Sequence, residues 1–498
     1  MGVQVEEIRD RARRLKAAIA RERYEIRAGL KLRSSFGELY AAHSLLLRRE
    51  ILPTIQRALA ESGDEERRRL RWLLAWVAEQ QVQAALAPME DELHAWESSA
   101  RLPVDGERIS LRKAPVAIRN QADRRIRLAL EAARSGTLEE AVPLQVDLLH
   151  REREAVAELG LGEFLDARER LSGVGIHALV DVAERVLAAT EDRYRDLLAY
   201  LARKVLRVEP SEATRADGRW IRRMVWLDDR FRLAPTLDAV QKDLRELGLP
   251  LEAEGAVRLD LQERPLKSTQ SFCAALDVPH EIILVVAPHG GWADCRALLH
   301  EVGHALHFAY TAEQLPFEYR ELGDTAVTET YAVLFELLTL EASWLRRTAG
   351  LSGDALRGYF TVAGFVMLHR LRRLAGRLLY EVELYTSELP GQMGPRYAEI
   401  LTRATGFRYD ERTFLEGLDR GFWVARRLRA WMLQAILRKE LRERYDEDWD
   451  RNPGAGPFLC ELFSAGQRDD SSQLAVQLGA EVLGPEALLS ALDGWLPP

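Results

Sequence analysis

The chain has 498 residues, 47% of them hydrophobic and 30% charged, with 70 Lys+Arg set against 78 Asp+Glu for a net charge of −8. This is a globular composition, long enough to bury a large core without disulfides, and it excludes a disordered tail or a fibre. The acidic balance argues against a nucleic-acid partner, which asks for a basic face.

In chain order, the first fourteen residues already carry Glu6, Glu7, Asp10 and four arginines, so no secretory leader is expected there. The longest apolar runs, Trp72–Ala78 and Ile282–Ala287, fall far short of a membrane span. Cys273, Cys295 and Cys460 are widely spaced and form no CxxC pair, which suits a reducing compartment. The expectation is a cytoplasmic protein, monomer or homodimer, that engages neither membrane nor nucleic acid.

Most of the chain reads as helix. Glu65–Leu86, Leu138–Glu158 and Leu179–Val208 place apolar residues three and four apart. The charges between them read as solvated faces with i,i+4 pairs. Residues 1–205 thus read as a helical layer without evident chemistry, in which His43, His94, His150 and His177 are isolated. Glu97–Ser110, Glu209–Arg219 and Asn452–Pro457 carry turn formers and read as loops.

One short region reads as β. Ala256–Leu261 alternates, Ser271–Leu276 is short and mixed, and Ile282–Ala287 is a β-branched apolar run ended by Pro288 and Gly290. Turn residues separate the three pieces. A small antiparallel sheet is expected, embedded in helices.

Immediately downstream, residues 300–304 read His300-Glu301-Val302-Gly303-His304, an HExxH pattern. On a helix, positions i and i+4 share a face about 6 Å apart along the axis, so both imidazoles can reach one ion. Glu301 falls on the flank, where its carboxylate can act as a base without ligating. Asp294 is the expected cap of this helix, which continues over Arg296–Tyr310.

A catalytic zinc takes three protein ligands and leaves an open position for water. Gly323-Asp324 reads as a helix start and Thr325–Leu340 as a helical run. Glu329 on that run is the expected third ligand, with Glu336 or Asp324 as the acceptor for an imidazole N–H.

With these residues identified, His300–His307 followed by Glu329-Thr330-Tyr331-Ala332-Val333-Leu334-Phe335-Glu336 resembles the zinc metallopeptidases related to thimet oligopeptidase and oligoendopeptidase F. Lys267–Cys273 and Asn452–Gln467 are similar to the family's segments before the zinc helix and near the C-terminus. The resemblance covers about residues 205–498 well. It implies a mainly α, helical clamshell with a deep substrate channel and one small antiparallel β-sheet next to the zinc helix. Residues 1–205 would form one wall of the channel and 206–498 the catalytic region, acting on short unstructured peptides.

In such a channel an extended peptide pairs with a sheet edge, here expected at Ser271, Phe272, Cys273 and Ala274. The family commonly closes over the substrate with tyrosines, often with a histidine. The corresponding stretch here, Arg420–Arg427, contains Trp423 and Arg427 but no tyrosine. Tyr409, Tyr445, Arg426 and Arg427 are the alternatives for the oxyanion, and Arg426–Arg438 otherwise reads as a solvated basic face. His289 and His307 are further candidates for lining the cleft.

The implied chemistry is hydrolysis of internal peptide bonds with one Zn2+ per chain held by His300, His304 and Glu329, Glu301 moving the proton from water to the departing amine. A carboxypeptidase of the carboxypeptidase Taq type is the nearest alternative. That type typically reads His-Glu-Ser-Gln around its downstream glutamate, where this chain has Thr328-Glu329-Thr330-Tyr331. A non-catalytic zinc protein that binds peptides is the reading from another class.

Overall fold

The computed structural model describes residues 4–104, 107–251, 255–286, 290–418, 420–492 and 494. The fold is mainly helical, as expected. Helix α1 (Val5–Arg27) buries Ile8, Ala12, Leu15 and Ile19 along one stripe. That stripe packs with Leu70, Leu73 and Val77 of α2 (Asp64–Ser99) and with Phe317 and Leu322 from the C-terminal half. The buried Arg9 fastens α1 to the same half by donating from Nε to Glu318 (2.6 Å), a carboxylate with no solvent exposure.

Local readings change, and the expected loop at 209–219 contains most of the helix Arg215–Ile221. The run Leu179–Val208 is two helices, Ile176–Ala189 and Glu191–Leu201, joined at Thr190. The Thr190 hydroxyl bonds back to the Val186 carbonyl (2.7 Å) and accepts from Arg372 (2.7 Å), a side-chain alternative to the helical ladder. The expected loop at 97–110 contains an antiparallel hairpin, β1 (Arg101–Val104) with β2 (Glu107–Ser110).

The sheet beside the HExxH helix has strand order β3-β5-β4, with β3 (Val257–Asp260), β4 (Phe272–Asp277) and β5 (Glu281–Val285). It is mixed rather than wholly antiparallel, because β3 runs parallel to β5 while β4 pairs antiparallel with it. Strand alternation divides β5 between two cores. Ile283 and Val285 pack with Phe272 and Leu276 of β4 and with Tyr24 and Ala28 of α1, whereas Ile282 and Leu284 join the main core. This leaves β4 as an edge strand.

The main core gathers α4 (Trp292–Ala309), α5 (Thr325–Glu336), α6 (Gly353–Thr386) and α7 (Trp423–Tyr445) around Val302, Leu306, Val333, Phe365 and Leu433. Helix α7 is not the solvated basic face expected of Arg426–Arg438. Its residues from Val424 to Leu441 are largely buried, and Arg438 donates to Glu341 (2.8 Å). Between α1, α2 and α3 (Phe164–Ser172) on one side and β4, α4, α5 and α7 on the other lies a cavity of about 830 Å3. Among the described residues, no helix is long and apolar enough to cross a membrane.

Candidate metal centre

Helix α4 begins four residues earlier than Arg296, on Gly291 with φ 89°, and Asp294 sits inside its first turn instead of capping it. Leu298, Leu299, Val302, Ala305 and Leu306 bury one face. His300 and His304 stand on the other, with ring centroids 5.0 Å apart and edge to face. Between them, Gly303 lies against α5 so closely that a Cβ would come within 2.4 Å of the Tyr331 carbonyl oxygen and 2.7 Å of Ala332 Cα. That backbone contact brings Glu329 to the histidines. Its carboxylate oxygens lie 3.7 Å from His300 Nε2 and 3.8 Å from His304 Nε2.

Each imidazole is held by its other nitrogen. His300 Nδ1 donates to Glu336 (2.9 Å), a fully buried carboxylate that also pairs with Arg296 and Arg370. His304 Nδ1 lies 2.9 Å from Thr328 Oγ1, which accepts from it in the tautomer that leaves Nε2 free. Of the two acceptors expected from sequence, Glu336 is therefore in position and Asp324 is not. Asp324 caps α5 through Ala326 N (2.9 Å) and also takes Ser471 N (2.9 Å) and Oγ (2.6 Å), so its carboxylate is spent on joining the floor of the cavity. Thr328 was not foreseen, because an ordinary threonine beside a ligand carries no signal in sequence.

Burial lowers His304 to about 3 and lowers His300 as well, keeping both imidazoles neutral, the form that binds metal. Burial pushes the Glu329 carboxyl up, and with both imidazoles neutral the charges that oppose burial and favour the carboxylate are those of Arg427 and Arg370. Two neutral imidazoles and one carboxylate, with all ligating atoms within 4.8 Å of one another, fit a tetrahedral divalent ion with one open position. A second convergence, Asp166, Glu169 and His177, is largely exposed at the surface.

Glu301 lies beside this triad, where burial raises its carboxyl. It accepts the backbone N–H of Cys273 on β4 (2.8 Å). Successive residues of a strand turn their backbone groups to opposite edges, so Cys273 and Ala275 face the unpaired side. Ser271, Phe272, Cys273 and Ala274 all line the cavity, as do Trp423 and Arg427.

Other candidates are elsewhere. Tyr409 is buried in the main core against Tyr397 (5.6 Å) and under Arg215 (5.4 Å), away from the cavity. Tyr445 packs on Phe458. His307 is fully buried, donates from Nε2 to the Gly466 carbonyl (3.2 Å) and packs on Tyr331 (4.9 Å), so it is a structural histidine. His289 falls outside the described residues. The sequence reading named no residue of the N-terminal wall, where Arg23, Tyr24 and Arg27 of α1 and Trp72 and Trp76 of α2 face the cavity.

Neither a protein-family model nor a curated protein sequence matches the chain. Solved structures do. The Pyrococcus furiosus carboxypeptidase superimposes with a TM-score of 0.61 at 16% identity, covering 100% of this chain and 99% of that one. An M32 carboxypeptidase from Deinococcus radiodurans R1 gives 0.59 at 15% identity, with 98% of both chains covered. A structure described as an oligoendopeptidase F gives 0.63 at 15% identity, covering 97% of this chain and 89% of that one. The chain shares, almost end to end, the fold of these peptidases.

Proposed function

We propose that the protein is a zinc-dependent peptidase of short unstructured peptides, with His300, His304 and Glu329 as the metal ligands and Glu301 as the general base. The observation that carries this reading is the approach of one carboxylate to within 3.7 and 3.8 Å of two neutral imidazoles at the base of an enclosed cavity. When bound, the zinc supplies Lewis acidity toward the scissile carbonyl and toward a water molecule.

The protein's own groups supply the rest. An extended peptide adds to the free edge of β4, using the backbone groups of Cys273 and Ala275. Glu301 then exchanges its contact with Cys273 N–H for the attacking water, takes the water's proton and returns it to the departing amine. Arg427, whose charge acts on both His304 and Glu329, is the candidate partner for the carbonyl oxygen as charge develops there. Residues 1–205 supply one wall, residues 206–498 carry the chemistry, and the free thiols suit a cytoplasmic setting.

Cleavage of internal bonds is the first reading. Removal of C-terminal residues is the second, favoured by the near-complete mutual coverage with the Pyrococcus furiosus carboxypeptidase. A peptide-library digest read by mass spectrometry, with and without chelator, tests both. Internal cuts in C-terminally amidated peptides support the first, and trimming of free acids alone supports the second. No chelator-sensitive cleavage of any peptide would contradict both. Glu301→Gln is expected to lower turnover by about 10²–10⁴-fold while metal content stays the same. Undiminished activity would remove Glu301 from the mechanism.

A further inference from the structure

The cavity reverses the sign of the molecule. The chain carries a net −8, yet the cavity is lined by seven basic side chains and five acidic ones. The acidic ones are occupied. Glu79 is paired with Arg168 (2.5 Å), Glu321 with Lys16 (3.8 Å), and Asp324 is engaged by Ser471. Glu329 faces the two histidines, and Glu301 holds the edge-strand N–H. Arg420 is matched from behind by Glu90 (3.0 Å). Arg427 acts on Glu329 across the site, and Arg23, Arg27 and Arg426 make no ion pair with a carboxylate among the described residues.

Two of these three are held in a posture that leaves their donors available. The Arg27 guanidinium lies 4.0 Å over the ring of Phe272, the residue before the one whose N–H meets Glu301. Arg426 lies 4.9 Å over Trp423 on the opposite wall. A guanidinium held over an aromatic face restricts its position and still has N–H groups that can donate to a carboxylate. Arg23 stands one helical turn before Arg27, on the same face of α1. Enclosure by low-dielectric walls strengthens the field these charges produce.

We propose that the cavity selects peptides bearing acidic side chains near the bound segment, the Asp or Glu carboxylates being taken by Arg27 and Arg23 on one wall and by Arg426 on the other. This rests on the peptide-binding reading above and names the substrate class for the same site.

The test uses the full-length Glu301→Gln protein loaded with zinc and rhodamine-labelled decapeptides blocked at both ends, identical except for four positions carrying Glu, Gln or Lys. In fluorescence anisotropy at about 50 mM salt, the Glu peptide is expected to bind about tenfold more tightly than the Gln peptide, with the Lys peptide weakest. Raising salt to about 500 mM is expected to shrink that gap several-fold. The double substitution Arg27→Gln/Arg426→Gln is expected to bring the Glu-to-Gln ratio to within about threefold, and the Lys versions to keep most of it.

Equal binding of Glu and Gln peptides at low salt overturns the proposal, as does a ratio that survives the double Gln substitution. So does a gain seen only when the C-terminus is left as a free acid. Because the salt series needs no arginine substitution, and is repeated on wild-type protein with Glu301 in place, it decides the matter even if the double variant does not fold. Wild-type protein given the same peptides separates the two claims. Preference in binding with no cleavage of these peptides or of their free-acid forms sinks the peptidase reading alone, while cleavage without preference sinks this inference alone.

Discussion

At the scale of single residues, the centre rests on how the two imidazoles are held. His300 is oriented by a buried carboxylate whose charge is balanced by Arg296 and Arg370, so its tautomer is fixed. His304 relies on the hydroxyl of Thr328, which can either accept or donate. Substitution Thr328→Val removes the acceptor at nearly constant volume and is expected to weaken zinc binding about tenfold, read by competition with a chromophoric chelator. Unchanged affinity would mean that His304 is oriented by packing alone. The two cases also differ in how far sequence could reach. Glu336, on the same helical face as Glu329, is visible from spacing. Choosing between Thr328 and Asp324 depends on the rotation of α5, and that follows from the Asp324 contacts with Ser471, far away in the chain.

At the scale of elements, the close crossing of α4 and α5 is what makes a ligand set out of an HExxH pattern. Gly303 is the point of contact, and no neighbouring side chain can yield there, because the atoms facing it are backbone. Gly303→Ala is expected to separate the two helices, to destabilise the protein by about 1–3 kcal/mol and to lower zinc affinity more than Thr328→Val does. Denaturant unfolding and the same chelator competition measure both, and a variant with wild-type affinity would contradict the crossing argument. The helix and the strand around this point are legible in sequence, since Leu298–Leu306 follows the 3.6-residue repeat and Ile282–Val285 is a short apolar run bounded by turn residues. The parallel pairing of β3 with β5 is not, because register across a long connection has no local signature. Nor is the cavity-facing role of Arg23 and Arg27, whose i,i+4 spacing is that of any solvated helix face.

At the scale of the molecule, the N-terminal helices are joined to the C-terminal half by buried charge. Glu416 receives Arg134 (2.6 Å) from the helix Arg124–Glu139 and Arg215 (2.7 Å) and Arg219 (3.2 Å) from the helix Arg215–Ile221. Burial alone would raise the Glu416 carboxyl, but Arg215, Arg134 and Arg219 outweigh it and hold it well below the usual value. A carboxyl depressed in the folded state contributes stability above its unfolded pKa, and that contribution is lost as pH falls through the folded value. Glu416→Gln is expected to cost about 3–5 kcal/mol at pH 7, since it leaves Arg134 and Arg215 buried without their carboxylate and Arg219 with only its longer contact to Glu131. It should also flatten the decline in stability below about pH 4. Unfolding titrations at neutral and acid pH test both. Parallel pH profiles for the two proteins would show that this cluster does not set the acid limit.

The most direct measurement of the metal centre is an anomalous difference map at the zinc absorption edge from crystals grown with zinc. The arrangement predicts one peak per chain, about 2.0–2.2 Å from His300 Nε2, His304 Nε2 and a Glu329 carboxylate oxygen, with one position open toward the cavity. A peak outside that triad, or none at full zinc saturation, would contradict it.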